Sequence, residues 1–189
     1  MNRHRSLIAV TVSFAFAFAI LLGTTPASIA TNTEGHHWAK DGLSVAQIYF
    51  VDQTGVKWPV SSVTYKWNEA IGVNSYYQTT CPNSNLHCVN VSEYSANDGN
   101  YGITYWPNFW DSANHNLAGE FITLNDTTVT NSTQAHKSTC QEEGHVLGLD
   151  HQFVNTSCMM QGDAISLGIS MYPNAHDFSE LTAIYNHTN

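Results

Sequence analysis

The chain is poor in charge. Asp, Glu, Lys and Arg make up 11% of its 189 residues, with six basic residues against fifteen acidic ones. The formal net charge of −9 argues against nucleic acid as a partner, because that needs a basic surface. No block of like charges, internal repeat or low-complexity tail occurs, so nothing suggests a charged interaction tail or a repeat array. Cysteine is limited to four residues, at 81, 88, 140 and 158, and none of them forms the C-x-x-C step of a zinc ribbon. Long apolar runs are absent apart from Leu7 to Leu22.

That run follows the basic start Arg3-His4-Arg5 and leads through Thr24, Thr25 and Pro26 to the small residues Ser28-Ile29-Ala30. The pattern predicts a signal peptide over residues 1–30 rather than a retained anchor. The expected product is a secreted domain over residues 31–189, free of the membrane and monomeric, with room for one core. Four cysteines in an exported chain predict two disulfides, for which three pairings exist. Cys81–Cys88, closing a short Pro/Asn loop, together with Cys140–Cys158 is the favoured set.

Periodicity predicts strands over Ala46–Asp52, His87–Tyr94, Tyr101–Trp106 and Leu117–Leu124. It predicts a helix opening near Pro59 and stopping at Gly72, and another through Gln134 to Leu147 capped by Ser132 or Thr133. Asp177-Phe178-Ser179-Glu180 has the form of a capping box for a last helix. The fold class expected is α+β, a small mixed sheet with one helix beneath it and a C-terminal helix. Asn186 to Asn189 are expected to fray.

Residues 141–151 read Q-E-x-x-H-x-x-G-x-x-H. On a helix, residues four apart lie about 40° apart around the axis, so Gln141 and His145 point the same way. Glu142 lies about 60° to the other side of His145, within reach of a water on the same metal. Gly148 can take the backbone angle that ends the helix and lets His151 return as a third ligand. Imidazoles to hold zinc and a carboxylate to take a proton from zinc-bound water are what hydrolysis requires. Chance histidines on an amphipathic helix account poorly for four matched positions, Glu142, His145, Gly148 and His151.

This stretch resembles the metzincin zinc endopeptidases, H-E-x-x-H-x-x-G-x-x-H, with Gln141 in place of the first histidine. Gly148-Leu149-Asp150-His151 is most similar to the matrixin branch. The resemblance implies an α+β zincin-like domain with an active-site helix, a methionine turn under the metal and an edge strand that pairs with extended peptide. It implies one catalytic zinc held by His145, His151 and, as a weak or substitute ligand, Gln141. Glu142 would be the general base and a peptide or protein the substrate. Met159, eight residues after His151, matches the methionine turn better than Met171, and Cys158 beside it would bridge to Cys140 beside Gln141. Gly119, Phe121 and Thr123 fall on the stretch resembling the substrate-pairing strand. More narrowly, Cys140-Gln141-Glu142, Cys158-Met159 and Pro173-Asn174-Ala175-His176-Asp177 resemble a group of exported, matrixin-like microbial proteins in which glutamine holds this position.

A glutamine oxygen suits hard cations better than zinc, and three readings stay open. Gln141 binds zinc weakly, or His176, His115 or His87 replaces it from elsewhere in the fold, or the domain binds without cutting. His136 is half a helical turn out of phase with His145. Glu143 is expected on the solvated face of the helix, Asp150 in an exposed loop, and the stretch Trp106 to Trp110 could line a sugar or peptide groove.

Overall fold

The computed structural model describes residues 34–84, 86–107, 110–116 and 119–188. The predicted signal peptide, residues 108–109 of the aromatic loop and the first two residues of the expected strand 117–124 lie outside them. The described residues open with β1 (His37–Trp38) and β2 (Ala46–Asp52), then α1 (Val60–Lys66) with a 3₁₀ turn at Trp67–Glu69. There follow β3 (Val73–Gln78), β4 (His87–Tyr94), β5 (Gly102–Tyr105), β6 (His115–Asn116) and β7 (Phe121–Asn125). The two long helices, α2 (Ser132–Val146) and α3 (Ala175–Ile184), come last.

The domain is α+β. Five strands form one sheet in the order β3-β2-β4-β7-β5; the first four are parallel and β5 runs antiparallel to β7. Alternation along the strands sets the buried face: Ile48 and Phe50 of β2, Val89 and Val91 of β4, and Ile122 and Leu124 of β7 are all fully buried. They meet Val60, Val63 and Trp67 from the α1 segment and Ala135 and Val146 from α2 in one core. Burial of such side chains contributes on the order of 1.5–3 kcal/mol each.

Several expectations change. A strand at Val73–Gln78 replaces what looked like the approach to the cysteine loop; only Val73 and Ser75 of it are buried, so its polar residues hid the alternation. Asn131, not Ser132 or Thr133, caps α2, its side chain accepting from Gln134 N at 2.8 Å. Asn174 caps α3, and Asp177 is the N3 residue that closes that capping box rather than the one that opens it. The stretch with Gly119, Phe121 and Thr123 is not a sheet edge: β7 lies between β4 and β5, and Gly119 precedes the strand with a φ of +87°. Order along the sheet is set by a long connection, which local pattern does not encode.

Both ends of the described chain close over the C-terminus of α2. Trp38 Nε1 donates to Val146 O at 3.0 Å, and Tyr185 Oη donates to Leu147 O at 3.1 Å. These bonds satisfy carbonyls that the helix cannot satisfy itself. The tail expected to fray is engaged: His187 Nε2 lies 2.8 Å from His37 Nε2, and Lys40 Nζ donates to His187 O. Burial, and then the neighbouring imidazoles of His187, His115 and His36, push His37 down to about 4. Both disulfides form, Cys81–Cys88 and Cys140–Cys158. The second ties α2 to the loop after His151. Among the described residues no helix is long and apolar enough to cross a membrane.

Glu120 is 3% exposed, its Oε2 has no partner, and burial pushes its carboxyl up to about 9. A folded-state pKa raised above the unfolded one means stability that is full below about 4.5 and is lost as pH rises toward 9. Glu120→Gln should therefore remove a slope of up to about 1.4 kcal/mol per pH unit in that window. Urea denaturation of both proteins at pH 5 and pH 8 measures it; equal pH dependence in the two would contradict the assignment.

Candidate metal and catalytic site

Helix α2 carries Gln141, Glu142 and His145 on its last turns. Its end is local chemistry: Gly148 has φ +105°, and a Cβ there would lie 3.0 Å from His36 O, so only glycine makes the turn without strain. The chain then reverses and brings His151 back. The Nε2 atoms of His145 and His151 lie 3.2 Å apart, with the rings edge to face. Two nitrogens at that distance share a proton or a cation. Zinc–nitrogen bonds of about 2.0–2.1 Å place tetrahedral neighbours roughly 3.3 Å apart, so the pair fits two positions on one zinc ion.

Second contacts orient the first imidazole. His145 Nδ1 lies 2.8 Å from Leu149 O and 3.2 Å from Glu34 Oε1. An Nδ1–H donated toward those oxygens leaves the Nε2 lone pair facing His151. Burial alone lowers His145, but the Glu34 hydrogen bond and the charge of Glu142 outweigh it and the net direction is upward. His151 is lowered, by burial first and then by His145. Glu34 carries no local signal of a role in the sequence; only the path of the N-terminal segment, with Glu34 N bonded to Gly148 O at 3.0 Å, brings it here.

Glu142 is buried against the sheet edge. Thr104 Oγ1 of β5 donates to Glu142 Oε2 at 2.8 Å, and a Cβ on Gly102 would come within 2.7 Å of Glu142 Cγ. Glycine is therefore what lets β5 pass this close. Burial raises the Glu142 carboxyl, and His145, Thr104 and Lys137 partly offset it. A carboxylate raised from its ordinary value is suited to accept a proton near neutral pH.

Gln141 lines the same cleft, and both ends of its side-chain amide are engaged. Its Oε1 accepts from Lys137 Nζ at 2.5 Å, and its Nε2 donates to Met159 O at 3.3 Å. Lys137 is fully buried, and burial lowers its ammonium to about 8. Lys137 is one turn before Gln141, a spacing that places the two together on any helix, yet its burial was not readable. Glu143 proves fully buried as well, not solvated: its Oε1 accepts from Thr64 Oγ1 at 2.9 Å and burial raises it well above the ordinary value. Asp150 is exposed and accepts from His151 N.

Gln141, Glu142, His145 and His151 line a cleft of about 480 Å³ with Glu34, Gly99 to Thr104, Trp106, Gln161 and Gly162. Trp106 packs edge-on against His36, and Trp110 stacks on the same ring. None of His87, His115, His136 or His176 lines the cleft. Met159 is fully buried under α2, while Met171 offers its carbonyl to His136 Nδ1. The loop between His151 and α3 is fastened by Asp177, which accepts from Gln152 and from Ser157 Oγ.

No protein-family model and no curated protein matches the sequence. Among solved structures the chain is similar to two of myroilysin, at 12% and 11% identity with TM-scores of 0.49 and 0.48. These cover 83% and 82% of this chain and 98% and 93% of the other. It is also similar to high choriolytic enzyme 1, a hatching enzyme zinc-protease from Oryzias latipes (Medaka fish). That likeness has 11% identity and a TM-score of 0.45, over 79% of this chain and 94% of the other. They are distant likenesses of chain course, and the chemistry of the cleft rests on its own residues.

Gly144 faces Met159 so closely that an added Cβ would collide with Met159 Sδ and come within 2.9 Å of Trp67 Cζ2. Gly144→Ala gains about 0.5–1 kcal/mol of helix propensity, but overpacking costs about 1–3 kcal/mol. The variant should be net destabilised, read as a lower denaturation midpoint; a more stable variant would show that Met159 does not floor the helix.

Proposed function

We propose that this chain is an exported, zinc-dependent endopeptidase of the metzincin type, closest in motif to matrixins and acting as a monomer. One observation carries the proposal. His145 and His151 present facing nitrogens 3.2 Å apart in a cleft that also holds Glu142 and borders the sheet edge at β5. His145 and His151 would hold the ion, with Gln141 a weak or substitute ligand whose oxygen Lys137 now engages. When bound, zinc supplies Lewis acidity that polarises water and a carbonyl oxygen.

The rest is work for the chain itself. Glu142 takes a proton from water at Oε1 while Oε2 stays bonded to Thr104, then returns it to the leaving nitrogen. An extended peptide adds to the outer edge of β5, which has no strand partner among the described residues. Main-chain hydrogen bonds to that edge hold its scissile bond beside the two histidines. Ile103 and Tyr105, exposed on β5, flank it. β5 thus takes the role that the sequence had suggested for Gly119 to Asn125.

The contact between Lys137 and Gln141 favours a second reading, a module that holds extended peptide on the same edge without cutting it. A buried ammonium 2.5 Å from the Gln141 oxygen competes with any cation for that ligand. Two variants separate the readings. Glu142→Ala should abolish cleavage of an unstructured protein substrate and leave the folded-state spectrum unchanged; undiminished cleavage would eliminate the hydrolase. Lys137→Met, which keeps the apolar stem, should tighten zinc binding about tenfold, roughly 1.4 kcal/mol. Zinc titration followed by calorimetry reads it, and equal affinity would leave Gln141 no part in holding the ion.

A further inference from the structure

Three histidines from distant parts of the chain meet outside the lining of the cleft described above. His37 and His115 are register partners in the parallel pair β1–β6, so they project side by side. His187 reaches them from the tail after α3. The rings contact one another, with centroids 4.6 to 5.3 Å apart. One ligand nitrogen from each lies within 4.8 Å of the other two.

We propose that His37, His115 and His187 form a second metal site, distinct from His145 and His151, that takes a zinc-class divalent cation. It would clip the N-terminal strand to the C-terminal tail. The donor set is three imidazoles, which suits zinc and its borderline neighbours rather than hard cations. One ligand is already oriented: His115 Nδ1 lies 2.9 Å from Asp111 Oδ2, which leaves Nε2 as its lone-pair nitrogen. Asp111 is in turn fixed by the backbone N–H groups of Ala113 and His115, at 2.8 and 3.0 Å. A carboxylate behind a ligating histidine is the usual outer support of such sites. His37 Nε2 and His187 Nε2 are 2.8 Å apart. Drawing all three nitrogens to the roughly 3.3 Å spacing of tetrahedral zinc takes ring rotation, which His187 on the tail can supply. Lys40 brings a like charge to the cluster, and its Nζ donates to His187 O at 2.7 Å.

The placement gives the clip a consequence. Its outer ligands flank Trp38 and Tyr185, the two residues that bond the last carbonyls of α2. An ion here therefore holds the end of the helix that carries Glu142 and His145, without touching substrate. The inference does not depend on the endopeptidase reading.

The test counts zinc per chain by elemental analysis, after zinc loading and dialysis, in the whole protein and in the His145→Ala/His151→Ala variant. His187→Ala should lower the count by one in either background, and it should abolish the rise in thermal midpoint that zinc gives the double variant. His187 lies on the tail, so its loss empties no core. Asp111→Asn should weaken the same site about tenfold. An unchanged zinc count in His187→Ala, or a double variant that binds no zinc, would overturn the proposal. If the cleft binds nothing, the whole protein falls from one zinc to none on the His187 change, which still supports it.

Discussion

Helix α2 takes nearly its whole length out of water while carrying Gln134, Lys137, Ser138, Thr139, Gln141, Glu142, Glu143 and His145. A buried polar group without a partner costs about 1–3 kcal/mol, so this helix cannot be held by apolar contact alone. Its partners come from every side of the domain. Gln134 Nε2 donates to Ser138 Oγ and its Oε1 accepts from Ala164 N; Thr64 serves Glu143, Thr104 serves Glu142, and Lys137 serves Gln141. Strand order, loop path and both chain ends are constrained by the need to deliver those partners.

The same burial sets the chemistry. Taken out of water, Glu142 and Glu143 both rise, but they are used differently. Glu143 faces α1 and bonds Thr64 on the core side, whereas Glu142 opens onto the cleft beside β5. Lys137 is lowered by the same burial, and its ammonium donates to the amide oxygen of Gln141. A neutral amide can accept from an ammonium and donate to a backbone carbonyl at once, as Gln141 does with Lys137 and Met159 O. Gln141 and Lys137 thus form one hydrogen-bonded unit.

Around this helix the fold is assembled from its periphery inward. The Cys140–Cys158 bridge and the Met159 carbonyl hold the loop beneath it, and Asp177 holds the next stretch of that loop to the start of α3. Trp38 and Tyr185 hold its end. β5 ends the sheet beside Glu142, and its outer edge has no strand partner among the described residues.

Much of this was legible in the sequence. Ala46–Asp52 and His87–Tyr94 alternate cleanly enough to fix their strands to the residue, and Gly148 fixes the end of the site helix because no other residue takes its φ without strain. The spacing of Gln141, Glu142 and His145 placed them on one helix by geometry alone. Cys140–Cys158 was favoured among three pairings. Other features had no local signal. That β5 rather than Phe121–Asn125 forms the edge, that Glu34 reaches His145, that Glu143 is buried, and that His37, His115 and His187 meet are all consequences of contacts between residues far apart in the chain. Local periodicity records which face of an element is apolar; only packing decides what that face, and the polar groups caught with it, will touch.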